Sequence, residues 1–184
     1  MKSIKITVKG IINVVIIIIT ILLQHSLIGR VYIFGVKPNL PLVAVIITGI
    51  INGSGYGGAA GLVTGLYHDA MTGKVIGVFA LFGLYSGVLA GLSSKKNKSE
   101  NTMIALLITY TISAVYESCV YLFGYVAPVV WDGVGTHAGV IYAFVRIIMP
   151  VAALNTLIGL PVFLILKAKK NNDDKDDLDD PQVY

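Results

Sequence analysis

Four ionisable side chains stand in or beside long apolar runs, where a charge is energetically costly and therefore informative: His68 and Asp69, then Glu117 and Arg146. A carboxylate at membrane depth such as Asp69 is a candidate functional group, because burying it is expensive. A structural role is the alternative, in which Asp69 caps the start of the next segment or meets Lys74 across the turn. The sequence leaves both interpretations open.

Glu117 and Arg146 fall at matching depths in two consecutive apolar segments. Counted from Thr102 at 1.5 Å per residue, Glu117 lies about 22 Å along its segment, or about 8 Å below the outer surface of a ~30 Å hydrocarbon core. Arg146 lies about 10 Å inward from Gly139 on the returning segment. Opposite charges at one depth predict an intramembrane ion pair, which fixes helix register or forms part of a ligand or partner site.

The chain lacks the sequence patterns of the common catalytic sites. It contains no nucleophile elbow, zinc-protease helix, phosphate-binding loop or dinucleotide-binding pattern, since its glycine row has neither the lysine nor the strand context that these require. His68 and His25 have no second metal ligand at helical spacing. The only cysteine, Cys119, excludes an intramolecular disulfide. We therefore predict no catalytic residue, no metal and no cofactor.

Glycines dominate the stretch between positions 49 and 91. One row recurs at every fourth residue and continues through Asp69, and a second row follows: Gly49, Gly53, Gly57, Gly61, Gly65, Asp69, Gly73 and Gly77, then Gly83, Gly87 and Gly91. Small residues at this spacing let membrane helices approach closely. We predict a helix-packing or partner interface along both rows, with internal packing favoured for Gly57, Gly61 and Gly65. The second row is the better candidate for an outward face.

Composition places these segments in a lipid bilayer. Of 184 residues, 55% are hydrophobic and 13% are charged, and the mean hydropathy is +0.80. These values lie outside the range of ordinary soluble domains. The net charge of +4 does not indicate nucleic acid binding, because the basic residues form short clusters between apolar runs.

The apolar runs predict an all-α integral membrane protein, a compact bundle of six transmembrane helices within residues 1–170. The approximate spans are 10–28, 40–52, 56–71, 75–92, 102–126 and 139–166. Residues 39–71 form two spans broken at 53–55 or a re-entrant hairpin, because one helix of that length would exceed the core. Residues 171–184 carry six aspartates and almost nothing to bury, which predicts a disordered acidic tail.

Six spans put both termini in the cytoplasm together with most of the positive charge. Ten of the 14 lysines and arginines then lie on one face: Lys2, Lys5, Lys9, Lys95, Lys96, Lys98, Lys167, Lys169, Lys170 and Lys175. Five spans would instead place the cluster at 95–98 outside, against the tendency of positive loops to stay inside. The expected location is the bacterial plasma membrane.

The central stretch resembles a known family. Lys37-Pro38-Asn39-Leu40, the spaced glycines, Gly65-Leu66-Tyr67-His68-Asp69, and Gly73 with Ile76-Gly77 are similar to the pattern of the bacterial rod-shape-determining protein MreD. The resemblance covers about residues 37–92. It implies a non-catalytic subunit of the elongation machinery, associated with MreC and through it with MreB filaments, a wall glycosyltransferase and a transpeptidase.

The rival interpretation is the substrate-binding membrane subunit of an energy-coupling-factor vitamin importer. Size, span number and glycine content suit it, and Glu117 and Arg146 would suit a polar ligand. Those subunits carry an Ala-x-x-x-Ala pattern on the first helix, whereas this chain reads IINVVIIIITILL there. A membrane-embedded enzyme would need convergent polar groups that the spans do not provide.

Overall fold

The computed structural model describes residues 2–26, 32–33, 35–72, 77–96, 101–126 and 139–178, and these ranges are helical apart from short connections. The prediction of an all-helical fold is confirmed for this part of the chain. We number the helices α1 (Lys2–Ser26), α2 (Leu40–Asn52), α3 (Ser54–Thr72), α4 (Val78–Lys96) and α5 (Thr102–Tyr121). The last helix, α6, comprises Val140–Ala143, a π-helical turn Phe144–Ile148 and Met149–Leu178.

Helix α2 is the centre of the bundle and contacts all five other helices. Every residue from Leu40 to Ile51 is buried, including Val45, Ile46 and Ile47 at 1% exposure or less. Its continuous apolar sequence is typical of a helix that is surrounded on all sides. At 13 residues it is only about 20 Å long.

A single residue separates α2 from α3. Gly53 has a φ of +95°, a conformation that favours glycine, and its backbone N–H donates to Gly49 O. The sequence placed the break at 53–55, but α3 already begins at Ser54. Next to this turn, Asn52 Nδ2 donates to Asn13 Oδ1 of α1 at 3.1 Å, which fastens α1 to the same end of α2.

Helices α3 and α4 pack antiparallel through their glycines, with backbone against backbone. A Cβ added at Gly61 would meet Gly83 O, and one added at Gly83 would meet Gly61 O; Gly57 and Gly87 face each other in the same way. Gly91 lies against Ser54 at the end of the row. The second glycine row therefore faces inward, against the expectation of an outward face, because each row is what allows the other to approach.

Gly73 and Gly77 do not extend this packing in the described structure. Gly73 lies outside the described residues. Gly77 has a φ of +105° and nothing within 4 Å of an added Cβ, so it belongs to the turn before α4. A glycine is required at this position by the backbone conformation rather than by a neighbouring helix.

Two described helical stretches are long and apolar enough to cross a membrane: Thr102–Gly124, of 23 residues, and Ile141–Ala168, of 28 residues. The others are shorter or richer in glycine. Helix α5 ends in a π-helical turn, Leu122–Val126. Helix α6 runs on to Leu178, so 171–178 are helical where the sequence predicted a disordered tail. Extending an existing helix needs no new nucleus, which explains how this polar segment continues it.

Candidate functional site

Asn39 is the hub of a polar network at the end of the bundle where α2 begins. Its Oδ1 accepts from Leu42 N at 3.2 Å and so caps α2, while its Nδ2 donates to Glu117 Oε1 of α5 at 3.2 Å. Its backbone N–H donates to Asn155 Oδ1 of α6 at 2.7 Å. One residue thus joins three helices. We call this the Asn39 end of the bundle.

Gln24 of α1 binds the same segment from the opposite side. Its Nε2 donates to Pro38 O at 3.1 Å and its Oε1 accepts from Leu40 N at 3.0 Å. Asn155 Nδ2 in turn donates to Ser113 Oγ of α5 at 3.1 Å. Both Asn155 and Ser113 are fully buried, where hydrogen bonds between helices hold the packing in a single arrangement.

A cavity of about 510 Å³ lies beside this network, and its lining residues come mainly from α1, α2, α3 and α5 and include Gly83 of α4. Its volume falls within the range of small-molecule sites. Apolar side chains form part of its wall, and the polar groups among the residues that line it include His25, Lys37, Asn39, Thr64, His68 and Glu117. Two ring contacts order the histidines: His25 meets Tyr67 edge-on at 5.4 Å between centroids, and His68 meets Phe79 at 4.6 Å.

The predicted ion pair between Glu117 and Arg146 is not formed in the structure. Glu117 accepts from Asn39 instead, and the Arg146 side chain is exposed on α6. The π-helical turn at Phe144–Ile148 explains the difference, because it makes Ala143 and Ile148 both face inward at a spacing of five residues. Counting residues gives the position of Arg146 along the helix axis, but the side of the helix on which its side chain lies depends on this irregular turn.

Asp69 lies outside the cavity and performs the structural role that the sequence left open. Its side chain is 1% exposed, and its carboxylate accepts from the backbone N–H groups of Gly77 (2.9 Å), Phe79 (3.0 Å) and Ala80 (3.0 Å). These amides at the start of α4 have no partner within the helix, and a negative charge there interacts favourably with the positive end of the helix dipole. Lys74, the other partner considered for Asp69, lies outside the described residues.

Several residues of this end were not identified from the sequence: Gln24, Asn39, Thr64, Ser113 and Asn155. A signal existed for Asn39, since an Asn directly before an apolar run is typical of a helix cap. For Asn155 and Ser113 the sequence signal was weaker: polar side chains within apolar spans often form hydrogen bonds between helices.

The described residues bring together no group of three His, Cys, Asp or Glu side chains that could hold a metal ion. The groups available at the Asn39 end are one carboxylate, amides, a hydroxyl, two imidazoles, a lysine ammonium and aromatic rings around a cavity. No protein-family model matches the chain, and neither a curated protein nor a solved structure matches it.

Proposed function

We propose that this chain is a non-catalytic, six-span subunit of the bacterial machinery that inserts peptidoglycan along the side wall, with a role like that of MreD. The observation that supports this most is the unity of residues 37–92, the part that resembles the family. Asn39 caps α2, the glycine rows pack α3 on α4, and Asp69 caps α4. The motif residues thus support one another in a single structural unit.

Exposure of apolar side chains supports the membrane location. Met103 and Leu107 of α5 and Ile141 and Leu157 of α6 are between 66% and 82% exposed, as expected for side chains that face lipid. The short helix α2 is compatible with six spans because it is buried on all sides, and interrupted helices are tolerated at membrane depth where protein surrounds them.

The distribution of lysines orients the bundle in this proposal. With both termini in the cytoplasm, α1 ends and α2 begins on the outer side, so the Asn39 end and its cavity face outward. The break at Gly53 and the C-terminal end of α4 then face the cytoplasm. This arrangement places the lysines at 95–98 and 167–170 inside.

Partner binding in such an adaptor would use surfaces other than the glycine rows, since those rows are occupied by each other. The exposed apolar faces of α5 and α6 are available. A shallow groove between them, about 390 Å³ in volume, is lined by Ala114 and Ser118 on one side and by Phe144 and Met149 on the other. Through the resemblance, the expected partner at the membrane is MreC.

The importer subunit is retained as a second candidate because of one observation, the cavity at the Asn39 end. In the proposed topology it faces the side from which an importer takes its substrate. The absence of alanine from the apolar run of α1 argues against it. The two candidates differ in their partners, which are wall synthases for one and a coupling subunit with ATPases for the other.

Cell shape and side-wall synthesis test the adaptor proposal in the host. Deleting the gene should turn rods into wide or round cells and disperse the side-wall incorporation of a fluorescent D-amino acid. The wild-type gene and Gly55→Ala should restore both, because Gly55 has nothing within 4 Å of an added Cβ. Gly57→Ala, which disturbs the α3–α4 contact, should restore them only partly. Unchanged shape and wall labelling after deletion would contradict the proposal.

A further inference from the structure

We propose that the cavity at the Asn39 end binds a small organic molecule through a primary ammonium group that pairs with the Glu117 carboxylate. This goes beyond the adaptor function and does not depend on it. It rests on three features of the cavity wall: a carboxylate that forms no ion pair within the described residues, a hydroxyl that has no hydrogen-bond partner among them, and a set of aromatic rings.

Glu117 is the central feature, because its position is costly for an unpaired charge. Its side chain is half-buried on α5, next to the buried Tyr116, and its hydrogen bond to Asn39 comes from a neutral amide. No ion pair to Glu117 is present among the described residues, and Arg146 is turned away from it. A desolvated carboxylate needs a proton or a cation. A bound ammonium ion supplies the missing charge.

The hydrogen-bonding capacity of the wall fits an ammonium group in particular. A carboxylate has about four acceptor positions, and Asn39 occupies one of them. Thr64 belongs to the residues that line the same cavity, and its buried Oγ1 has no hydrogen-bond partner within the described residues. An ammonium group is a donor with three N–H bonds and no acceptor. Glu117 and Thr64 provide the acceptors that it requires.

Aromatic side chains favour a cation over a neutral donor such as an alcohol. Tyr67 and Tyr116 line the cavity, and the face of an aromatic ring attracts an ammonium ion, more strongly when water is excluded. Lys37 also lines the cavity and would repel a bound ammonium ion. Its side chain is exposed, however, and its Nζ lies 4.5 Å from the centre of the Tyr32 ring. Solvent therefore screens its repulsion.

A pair of isosteric probes tests the proposal on the full chain in nanodiscs of uncharged phosphatidylcholine. Isothermal titration calorimetry compares 5-amino-1-pentanol, which carries one ammonium group, with 1,5-pentanediol, in which a hydroxyl replaces it. We expect saturable binding of the amine and none of the diol. Glu117→Gln keeps the acceptor for Asn39 but removes the charge, and it should weaken amine binding by about tenfold or more. Arg146→Gln is the control and should leave binding unchanged.

Three results would overturn the proposal. The first is equal binding of amine and diol, which would show that the charge is not recognised. The second is unchanged amine binding in Glu117→Gln when circular dichroism shows that the variant is folded. The third is that the wild-type protein binds no amine at all. Thr64→Val provides a separate check and should weaken amine binding without changing the fold.

Discussion

The contact between the glycine rows predicts a graded response to alanine along one helix. Gly55, Gly57 and Gly58 all lie in α3, so alanine raises helix propensity by a similar amount at each, about 1 kcal/mol in water. Their surroundings differ. An added Cβ meets nothing within 4 Å at Gly55, the Val88 side chain at 2.8 Å at Gly58, and backbone at Gly57.

The geometry at Gly57 sets the magnitude. Its added Cβ would lie 2.6 Å from Gly49 Cα and 3.0 Å from Gly87 C, and closer still to Gly87 O. Carbon atoms pack best at about 3.5–4.0 Å, so α2 and α4 must each move away from α3 by roughly 1 Å. A gap of that size removes a quarter to a half of each contact energy across the interface. We expect Gly57→Ala to lower the free energy of unfolding by about 1–3 kcal/mol, as overpacking generally does.

Equilibrium unfolding in mixed micelles, followed by circular dichroism, measures the series. Gly55→Ala should be neutral or slightly stabilising, Gly58→Ala intermediate because the β-branched Val88 has one preferred rotamer in α4 and must shift, and Gly57→Ala the most destabilising. Unfolding of Gly57→Ala at the same detergent fraction as Gly55→Ala would refute this prediction. That result would mean that α3 and α4 do not approach through their glycines.

Three further predictions concern the polar residues, each read from unfolding of purified protein. Asp69→Asn should lower the free energy of unfolding by about 1–3 kcal/mol, since an amide cannot accept all three α4 amides, while membrane insertion should persist; wild-type stability would contradict this cap. Asn39→Ala should lower the free energy of unfolding by about 1–2 kcal/mol, because it removes the α2 cap and the hydrogen bond to Glu117. Unchanged stability would show that Asn39 does not hold these helices together. In a double-mutant cycle, Glu117→Gln and Arg146→Gln should couple by less than about 0.5 kcal/mol because the two groups are not paired; a larger coupling would restore the predicted ion pair.

Apolar runs and their punctuation predicted the helices well. The bounds predicted for the second span, 40–52, are those of α2, because Pro38 precedes its start and Gly53 follows its end. Residues 102–126 likewise correspond to α5 with its π-helical turn. These features are local, so the sequence contains the information that determines them.

Which neighbour each face of a helix contacts could not be predicted from the sequence. A glycine row shows that something approaches closely, but it does not say whether the neighbour is the next helix or another protein, and Gly83, Gly87 and Gly91 face α3 and its first turn. Arg146 shows the same limit, since a π-helical turn changes which residues face inward. The cavity depends on how several helices meet, which no single segment encodes.

Affinity purification of the tagged chain from host membranes in mild detergent, with mass spectrometry of the proteins recovered, tests the central proposal most directly. We expect recovery of MreC together with the wall glycosyltransferase and transpeptidase. Gly55→Ala should recover the same set of proteins, and Gly57→Ala should recover less of them. Recovery of a coupling transmembrane subunit with paired ATPases, and of no wall synthases, would contradict it and favour the importer.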